Sequence, residues 1–361
     1  MTEERLAGLR SLLAREGVDG LLVRGAANRR YISGFTGSAG TLLITAGEAV
    51  LSTDFRYLEQ AGEQAPGWRV VRTASEEERT LGEVVRELGL GRLAFEADHT
   101  SCAARDRLER ALTGVELVPV QGWVEQQRRV KDAAEQASIR RAAAVADAVV
   151  GQLPRFVRTG QPEERIAAEV EYRLRLAGGQ ERSFPCIAAA GPRGALPHAT
   201  PTERVWSSGE FLVLDFGAVV DGYCSDITRT VAAGDPPEEL RRVHAAVLGA
   251  QKAAREGIRP GLTGAQVDAL ARRYLTEAGY GEAFGHGLGH GVGLEVHEGP
   301  VLSPTSRDLL APGMVVTLEP GVYLPGLGGV RVEDMVLVTE EGCEVLTRSP
   351  RELVCLSATH G

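Results

Sequence analysis

The stretch GHGLGHGVGLEVHEGP, residues 285–300, carries His286, His290 and His297, three of the seven histidines, set largely among glycines. Imidazoles this dense suit metal ligation or proton transfer, so the question is which charged groups face them. FLVLDFGAVV and YCSDITRTV flank Asp221-Gly222, a two-residue hairpin signal. Pairing about that turn sets Asp215 opposite Thr228 and Asp226 opposite Gly217. The two carboxylates are then diagonal neighbours on one sheet face, roughly 7–8 Å apart at the backbone. Gly217 is expected to leave space beside Asp226. GMVVTLE and VRVEDMVLV, joined by the Gly/Pro-rich PGVYLPGLGG, supply Glu319 and Glu333. Arg331 shares a strand face with Glu333, and Asp334 takes the opposite face.

Four acids in one interior pocket repel one another and lose hydration at high cost unless cations neutralise them. Two divalent ions do so. Four carboxylates and one imidazole form an oxygen-rich, borderline-hard donor set that suits manganese, cobalt, iron or zinc and differs from a thiolate zinc site. His290 is the expected imidazole, because it has no counterpart in the first half of the repeat described next. The glycines around it are expected to let backbone come close to metal and substrate.

The elements that carry these residues occur twice. A helix starts near Asp132, where DAAE resembles a capping box, and a second opens at Pro162 and ends at Gly178-Gly179. The programme repeats with a long helix from Pro237 and a shorter one closing in YLTEAG, which echoes YRLRLAG. Next, His198-x-x-Pro201 is matched by His297-x-x-Pro300, and Leu214-Asp215-x-Gly217 by Leu318-Glu319-x-Gly321. Two ordered matches behind matching helix pairs indicate a duplicated half-domain with approximate two-fold symmetry.

Residues 1–125 alternate helix-like and strand-like segments: a helix near 3–16, strand VDGLLV, a TLLIT/AVLST hairpin around Gly47, then WRVV, RLAFE and ELVPV. This is an α/β domain. Tyr31, Asp54, Arg56 and Tyr57 are its most reactive-looking residues and read as turn and surface contacts. TGSAG at 36–40 has Thr36 where a nucleophile elbow needs glycine, and no phosphate-binding GxxxxGK[ST] occurs. Only Lys131 and Lys252 are lysines, in polar helix-like surroundings that do not favour Schiff-base chemistry. The net charge of −9 gives no electrostatic reason to expect nucleic acid or an anionic membrane as partner. No apolar run nears the roughly 20 residues of a membrane span. The start reads as an amphipathic helix and not a signal peptide. Five scattered cysteines without a CxxC pair fit reduced thiols, and a cytoplasmic location is expected.

From about Val130 to Leu356 the chain resembles the pita-bread metallopeptidases. Residues 1–125, with NRRYISGFTGSAG and STDFRYLEQA, resemble the creatinase-type N-terminal domain. The resemblance implies an α/β two-domain protein: a creatinase-like α/β domain over 1–125, then a pita-bread α+β catalytic domain over 126–361 with a pseudo-two-fold repeat. It points to the Xaa-Pro peptidases, acting on proline-containing peptides. It implies five metal ligands, Asp215, Asp226, His290, Glu319 and Glu333, with Asp226 and Glu333 bridging two divalent ions per subunit, manganese first, then cobalt or zinc. By the same resemblance Glu319 shuttles a proton, and His198 and His297 hydrogen-bond substrate and developing oxyanion. His286 lines the pocket, Arg331 holds the carboxylate network, and a homodimer is implied. Some prolidases place a basic residue just after the segment matching VHEGP, where it can pair with a dipeptide's carboxylate; here that position is Val301. An aminopeptidase P is therefore the expected activity, with Xaa-Pro dipeptidase as the alternative and a non-catalytic binding protein on the same fold as a further one. The five intact ligands argue against creatinase, and the N-terminal domain argues against a methionine aminopeptidase.

Overall fold

The computed structural model describes residues 2–73 and 76–356. The chain divides into two compact units, Met1–Arg128 and Arg129–Gly361.

In the first unit, α1 (Thr2–Glu16) leads to β1 (Gly20–Val23) and α2 (Ala26–Ser33). The hairpin β2 (Thr41–Thr45) and β3 (Ala49–Thr53) follows, then α3 (Leu58–Gln64) and β4 (Arg69–Arg72). The unit closes with α4 (Glu77–Glu87), β5 (Arg92–Glu96), α5 (Cys102–Ala111), β6 (Glu116–Val120) and α6 (Trp123–Arg128). The strands form one mixed sheet in the order β4-β3-β2-β1-β5-β6. Every residue of β1 and β2 is buried, as expected for a sheet covered on both faces. Leu6, Leu9 and Leu13 form the buried stripe of α1 at helical spacing. Asp54 accepts from the Arg56 backbone and guanidinium, and the Tyr57 hydroxyl meets Ser38. These are local turn contacts.

The second unit opens with α7 (Ala133–Val150), whose N-cap Asp132 and Glu135 form the expected capping box. After α8 (Leu153–Phe156) comes α9 (Glu163–Leu176); Pro162 is its N-cap and not its first helical residue. Strands β7 (Glu181–Arg182), β8 (Ile187–Ala190), β9 (Phe211–Phe216), β10 (Ala218–Val220), β11 (Tyr223–Cys224) and β12 (Ile227–Ala233) complete the first half. The second half repeats the order with α10 (Glu238–Gly257) and α11 (Gly264–Glu277). Then follow β13 (Gly289–Gly291), β14 (Glu298–Leu302), β15 (Val315–Leu318), β16 (Gly321–Leu324) and β17 (Gly328–Arg331). Strands β18 (Asp334–Val338), β19 (Cys343–Val345) and β20 (Val354–Leu356) end it.

Each half has its own core. One joins α7 and α9 to the β8/β9/β12 sheet through Val149, Ile166, Val170 and Phe216. The other joins α10 and α11 to the β13/β15/β18 sheet through Val247, Val267, Val316 and Val336. A smaller cluster, with Ile139, Val219, Val292, Val315 and Met335, ties the halves together. The acids of both halves line one cavity. Among the described residues, no helix is long and apolar enough to cross a membrane, and all five cysteines are free thiols.

Candidate metal centre and active site

The Asp221-Gly222 turn has positive φ at both residues, 48° and 74°, the geometry that a two-residue hairpin favours. Asp215 pairs with Thr228, and Val219 with Cys224, so the predicted register holds on both sides of a gap. The gap lies at Gly217 and Ser225–Asp226, between the β9/β12 ladder and the β10/β11 ladder. A Cβ on Gly217 would lie 1.8 Å from the Ser225 carbonyl oxygen. Gly217 therefore admits the Ser225 backbone, and is not space reserved for Asp226. Asp226, released from the ladder, donates its backbone N–H to Met335 Sδ at 3.1 Å.

The second half is built the same way. PGVYLPGLGG, expected as a loop, is the hairpin β16/β17, with Gly321 paired to Arg331. Leu318 pairs with Asp334 on the far side of a second gap, and Glu319 and Glu333 both sit in it. VRVEDMVLV is thus two strands and not one. Glu319 N–H donates to the Leu288 carbonyl, and Glu333 N–H to that of Thr228. In each hairpin the ladder stops where acids must turn inward.

The gaps deliver Asp226, Glu319 and Glu333, and strands β9 and β13 deliver Asp215 and His290, to one cavity of about 530 Å³, which His198, His286, His297 and Arg331 line too. His290 Nε2 lies 3.6 Å from Asp226 Oδ2 and 3.4 Å from Glu319 Oε1. One ligand atom each from Asp226, His290 and Glu333 lie within 4.8 Å of one another. His290 Nδ1 is 3.0 Å from the Gly291 carbonyl and donates to it, so the Nε2 lone pair faces the acids. The His290 and His297 rings sit 4.3 Å apart, centre to centre. Arg331 Nη2 holds Asp215 Oδ2 at 2.6 Å and Nη1 holds the Tyr323 hydroxyl at 2.9 Å. Thr228 Oγ1 donates to Glu333 at 2.7 Å and accepts from Arg331 Nε at 3.1 Å. Asp334, on the opposite face as expected, accepts from Arg229, Gln251 and Thr347.

Burial sets the charge states. Desolvation, then the neighbouring Glu333, pushes Asp226 far above the usual carboxylate range. Desolvation, then Glu319, does the same to Glu333. Burial lifts Glu319 to about 8 and drops His286 and His290 to about 4. So crowded a set of acids needs either protons or cations. Asp215 Oδ1 and Asp226 Oδ1 are fully buried with no hydrogen-bond partner. Unpartnered buried oxygens beside an imidazole lone pair are what a divalent cation takes, and the residues fit one.

The glycines also serve the sheet itself. A Cβ on Gly289 would meet the Thr317 carbonyl oxygen at 2.2 Å, and one on Gly291 the Gly299 carbonyl oxygen at 2.2 Å. They are small to let neighbouring strands approach β13, and Gly287 and Gly289 also line the cavity. Two contributors escaped the sequence reading. Thr228 was placed opposite Asp215 but not given a role. Tyr323 lay in the supposed loop; its hydroxyl, pushed to about 12 by burial, links Arg331 to His286 Nε2 at 2.9 Å. The run of strand-favouring Val322, Tyr323 and Leu324 is the signal that could find it.

Likeness to known proteins agrees with this geometry. Residues 137–340 match metallopeptidase family M24, and residues 5–130 match the creatinase/prolidase N-terminal domain. The chain belongs to metallopeptidase family M24. It is 35% identical to a Pyrococcus horikoshii protein named Xaa-Pro dipeptidase, over 97% of this chain and 99% of that one. A solved structure named Xaa-Pro dipeptidase, from Bacillus anthracis, superposes with a TM-score of 0.97 at 45% identity, covering 99% of this chain and 100% of that chain. An X-Pro aminopeptidase structure from Thermotoga maritima gives 0.89 at 37%, covering 94% and 98%. The M24 member described here is accordingly a metallopeptidase with the two-domain creatinase/pita-bread architecture, and its family implies divalent metal ions.

Proposed function

We propose that this chain is an Xaa-Pro dipeptidase, with Asp215, Asp226, His290, Glu319 and Glu333 holding two divalent ions, manganese first. The carrying observation is the buried set of four carboxylates and one imidazole at the end of a small cavity. Its other walls, Phe184, Pro185, Ile187, Pro197 and Val301, are apolar and suited to a proline ring. Full-length likeness to proteins named Xaa-Pro dipeptidase supports the dipeptide preference.

Two bound divalent cations supply an acidified water and polarisation of the scissile carbonyl. The chain's own residues do the rest. Glu319 takes a proton from water and passes it to the departing proline nitrogen. His198 and His297 donate hydrogen bonds to the substrate and to the oxyanion as it forms. Burial holds His297 below the usual imidazole range, so it donates as a neutral ring. Arg331 fixes Asp215, and Thr228 fixes Glu333, so neither acid has to reorganise during the reaction. A homodimer in the cytoplasm belongs to the same reading.

One observation favours aminopeptidase P instead. Arg331 is the one Arg or Lys lining the cavity among the described residues, and Asp215 already engages it. Val301 itself, where such a cation would stand, is apolar. Paired assays on Ala-Pro and Ala-Pro-Ala separate the two. Preference for Ala-Pro supports the dipeptidase, whereas cleavage of the tripeptide with little on the dipeptide transfers the assignment to aminopeptidase P.

A further inference from the structure

Two buried acids of the catalytic unit ligate nothing, yet each terminates on a histidine-bearing segment of the cavity wall. Glu163, in the first turn of α9, is completely buried. Its Oε1 accepts from Ala190 N–H at 2.8 Å. Its Oε2 accepts from Thr202 N–H at 3.0 Å, Thr202 Oγ1 at 2.8 Å and Arg193 Nε at 2.9 Å. Arg193 Nη2 then donates to the Thr200 carbonyl at 2.6 Å. One carboxylate thus closes the base of segment 190–202, whose middle brings Pro197 and His198 to the cavity.

The second half has the same device on its equivalent helix. Asp268 of α11 is buried and pairs in a two-pronged fork with Arg272, at 2.7 and 2.9 Å. Asp268 Oδ1 accepts from Leu288 N–H at 3.0 Å. Arg272 donates to the Phe284 carbonyl at 2.9 Å and the His286 carbonyl at 2.7 Å. Its guanidinium also lies 4.3 Å over the Phe284 ring, which meets His286 edge-on. Both ends of segment 284–288 are held, with His286 between them.

Ion pairs this buried add little net stability, because desolvation offsets the attraction. What they deliver is geometry: each acid is fully occupied, and each guanidinium reaches acid and loop carbonyl together. A lysine ammonium, a point charge on a flexible stem, does not span both.

We propose that Arg193 and Arg272, locked onto Glu163 and Asp268, are positioning residues that set where His198 and His286 meet the substrate. Neither touches the reacting atoms. The two pairs are similar in kind but not in position: Glu163 opens α9 and meets an arginine of the following loop, whereas Asp268 meets an arginine one turn on along α11. This inference rests on the Xaa-Pro peptidase reading above.

The test uses full-length, manganese-loaded protein: wild type, Arg193→Lys, Arg272→Lys, and a surface control, Arg140→Lys, whose partner Glu344 is half-exposed. Glu163→Gln and Asp268→Asn, which keep shape and lose charge, form a second set should a lysine variant misfold. Steady-state hydrolysis of Ala-Pro is read beside bound metal per chain and the thermal midpoint. The expected result is a KM raised about tenfold in each clamp variant, with a smaller fall in kcat, because small misplacement of a substrate-binding group is costly. Metal content stays near wild type in every clamp variant, the midpoint stays near wild type in the charge-conserving lysine variants, and Arg140→Lys changes nothing. An unchanged KM overturns the proposal. So does a loss of activity that merely tracks lost metal or a lowered midpoint, because that is a structural role. A wild-type protein that binds metal but cleaves no Xaa-Pro peptide overturns the functional reading, and this one with it.

Discussion

Replacing Arg331 with methionine removes the guanidinium that lines the cavity beside four clustered carboxylates, and the consequence should depend on metal. Arg331 is only 3% exposed. It donates to Asp215 at 2.6 Å, Tyr323 at 2.9 Å, Thr228 at 3.1 Å and the Pro197 carbonyl at 3.2 Å. Charge-assisted bonds are worth about 1.5–3 kcal/mol each. They do not add here, because an abandoned carboxylate relieves itself by taking a proton. Breaking one side of a buried pair costs about 3–5 kcal/mol, and that is the better guide. At about 2–4 °C per kcal/mol for a domain of this size, the metal-free variant should melt roughly 6–20 °C below metal-free wild type. Divalent ions take over the neutralisation, so in manganese the deficit should shrink to the lost hydrogen bonds, about 1–3 kcal/mol. The assay is thermal unfolding of both proteins in chelator and in manganese. An equal deficit in both conditions would refute the electrostatic argument, leaving Arg331 as a packing residue; no deficit in chelator would refute its place in the network.

Other perturbations reach different parts of the account. Thr228→Val leaves Glu333 and Arg331 Nε without their shared hydroxyl; it should cost about 1–3 kcal/mol of stability and weaken metal binding about 10–100-fold, measured by urea unfolding and calorimetry. Gly289→Ala drives a methyl against the Thr317 carbonyl, so a loss of about 1–3 kcal/mol or more, with reduced metal content, is expected; wild-type stability would sink the strand-approach explanation. His244 is buried on α10 and burial lowers it to about 4 from 6.5, so its contribution is complete above pH 6.5 and disappears as pH falls toward 4. His244→Leu should therefore flatten stability across that window, by up to about 3 kcal/mol at its acid end; parallel pH profiles would count against it.

The sequence carried the site better than the local path to it. The Asp221-Gly222 turn fixed the register that puts Asp215 opposite Thr228, because a two-residue hairpin leaves no freedom of pairing. The helix start at Asp132 was legible for a similar reason: a capping box is local chemistry. The ladder gaps at Gly217 and at Val332–Glu333 were not, because alternation alone reads a strand as continuous across a break. The strand contacts of Gly289 and Gly291 are not legible either, since sequence says that a side chain is missing and not what fills its space. Asp268 and Arg272 carry a local signature, an i,i+4 pair on one helix, but their backbone partners do not, and the Glu163 partners Arg193 and Thr202 lie 30 and 39 residues away.

The central claim is that four carboxylates and His290 hold two catalytic divalent ions. Its most direct test is calorimetric titration of manganese into metal-stripped protein, with Ala-Pro hydrolysis followed at each addition, in wild type and Asp226→Asn. The account predicts two ions per wild-type chain, activity that rises as they bind, and loss of both in the variant. Activity in stripped protein, or two tightly bound ions in Asp226→Asn with undiminished turnover, would contradict it.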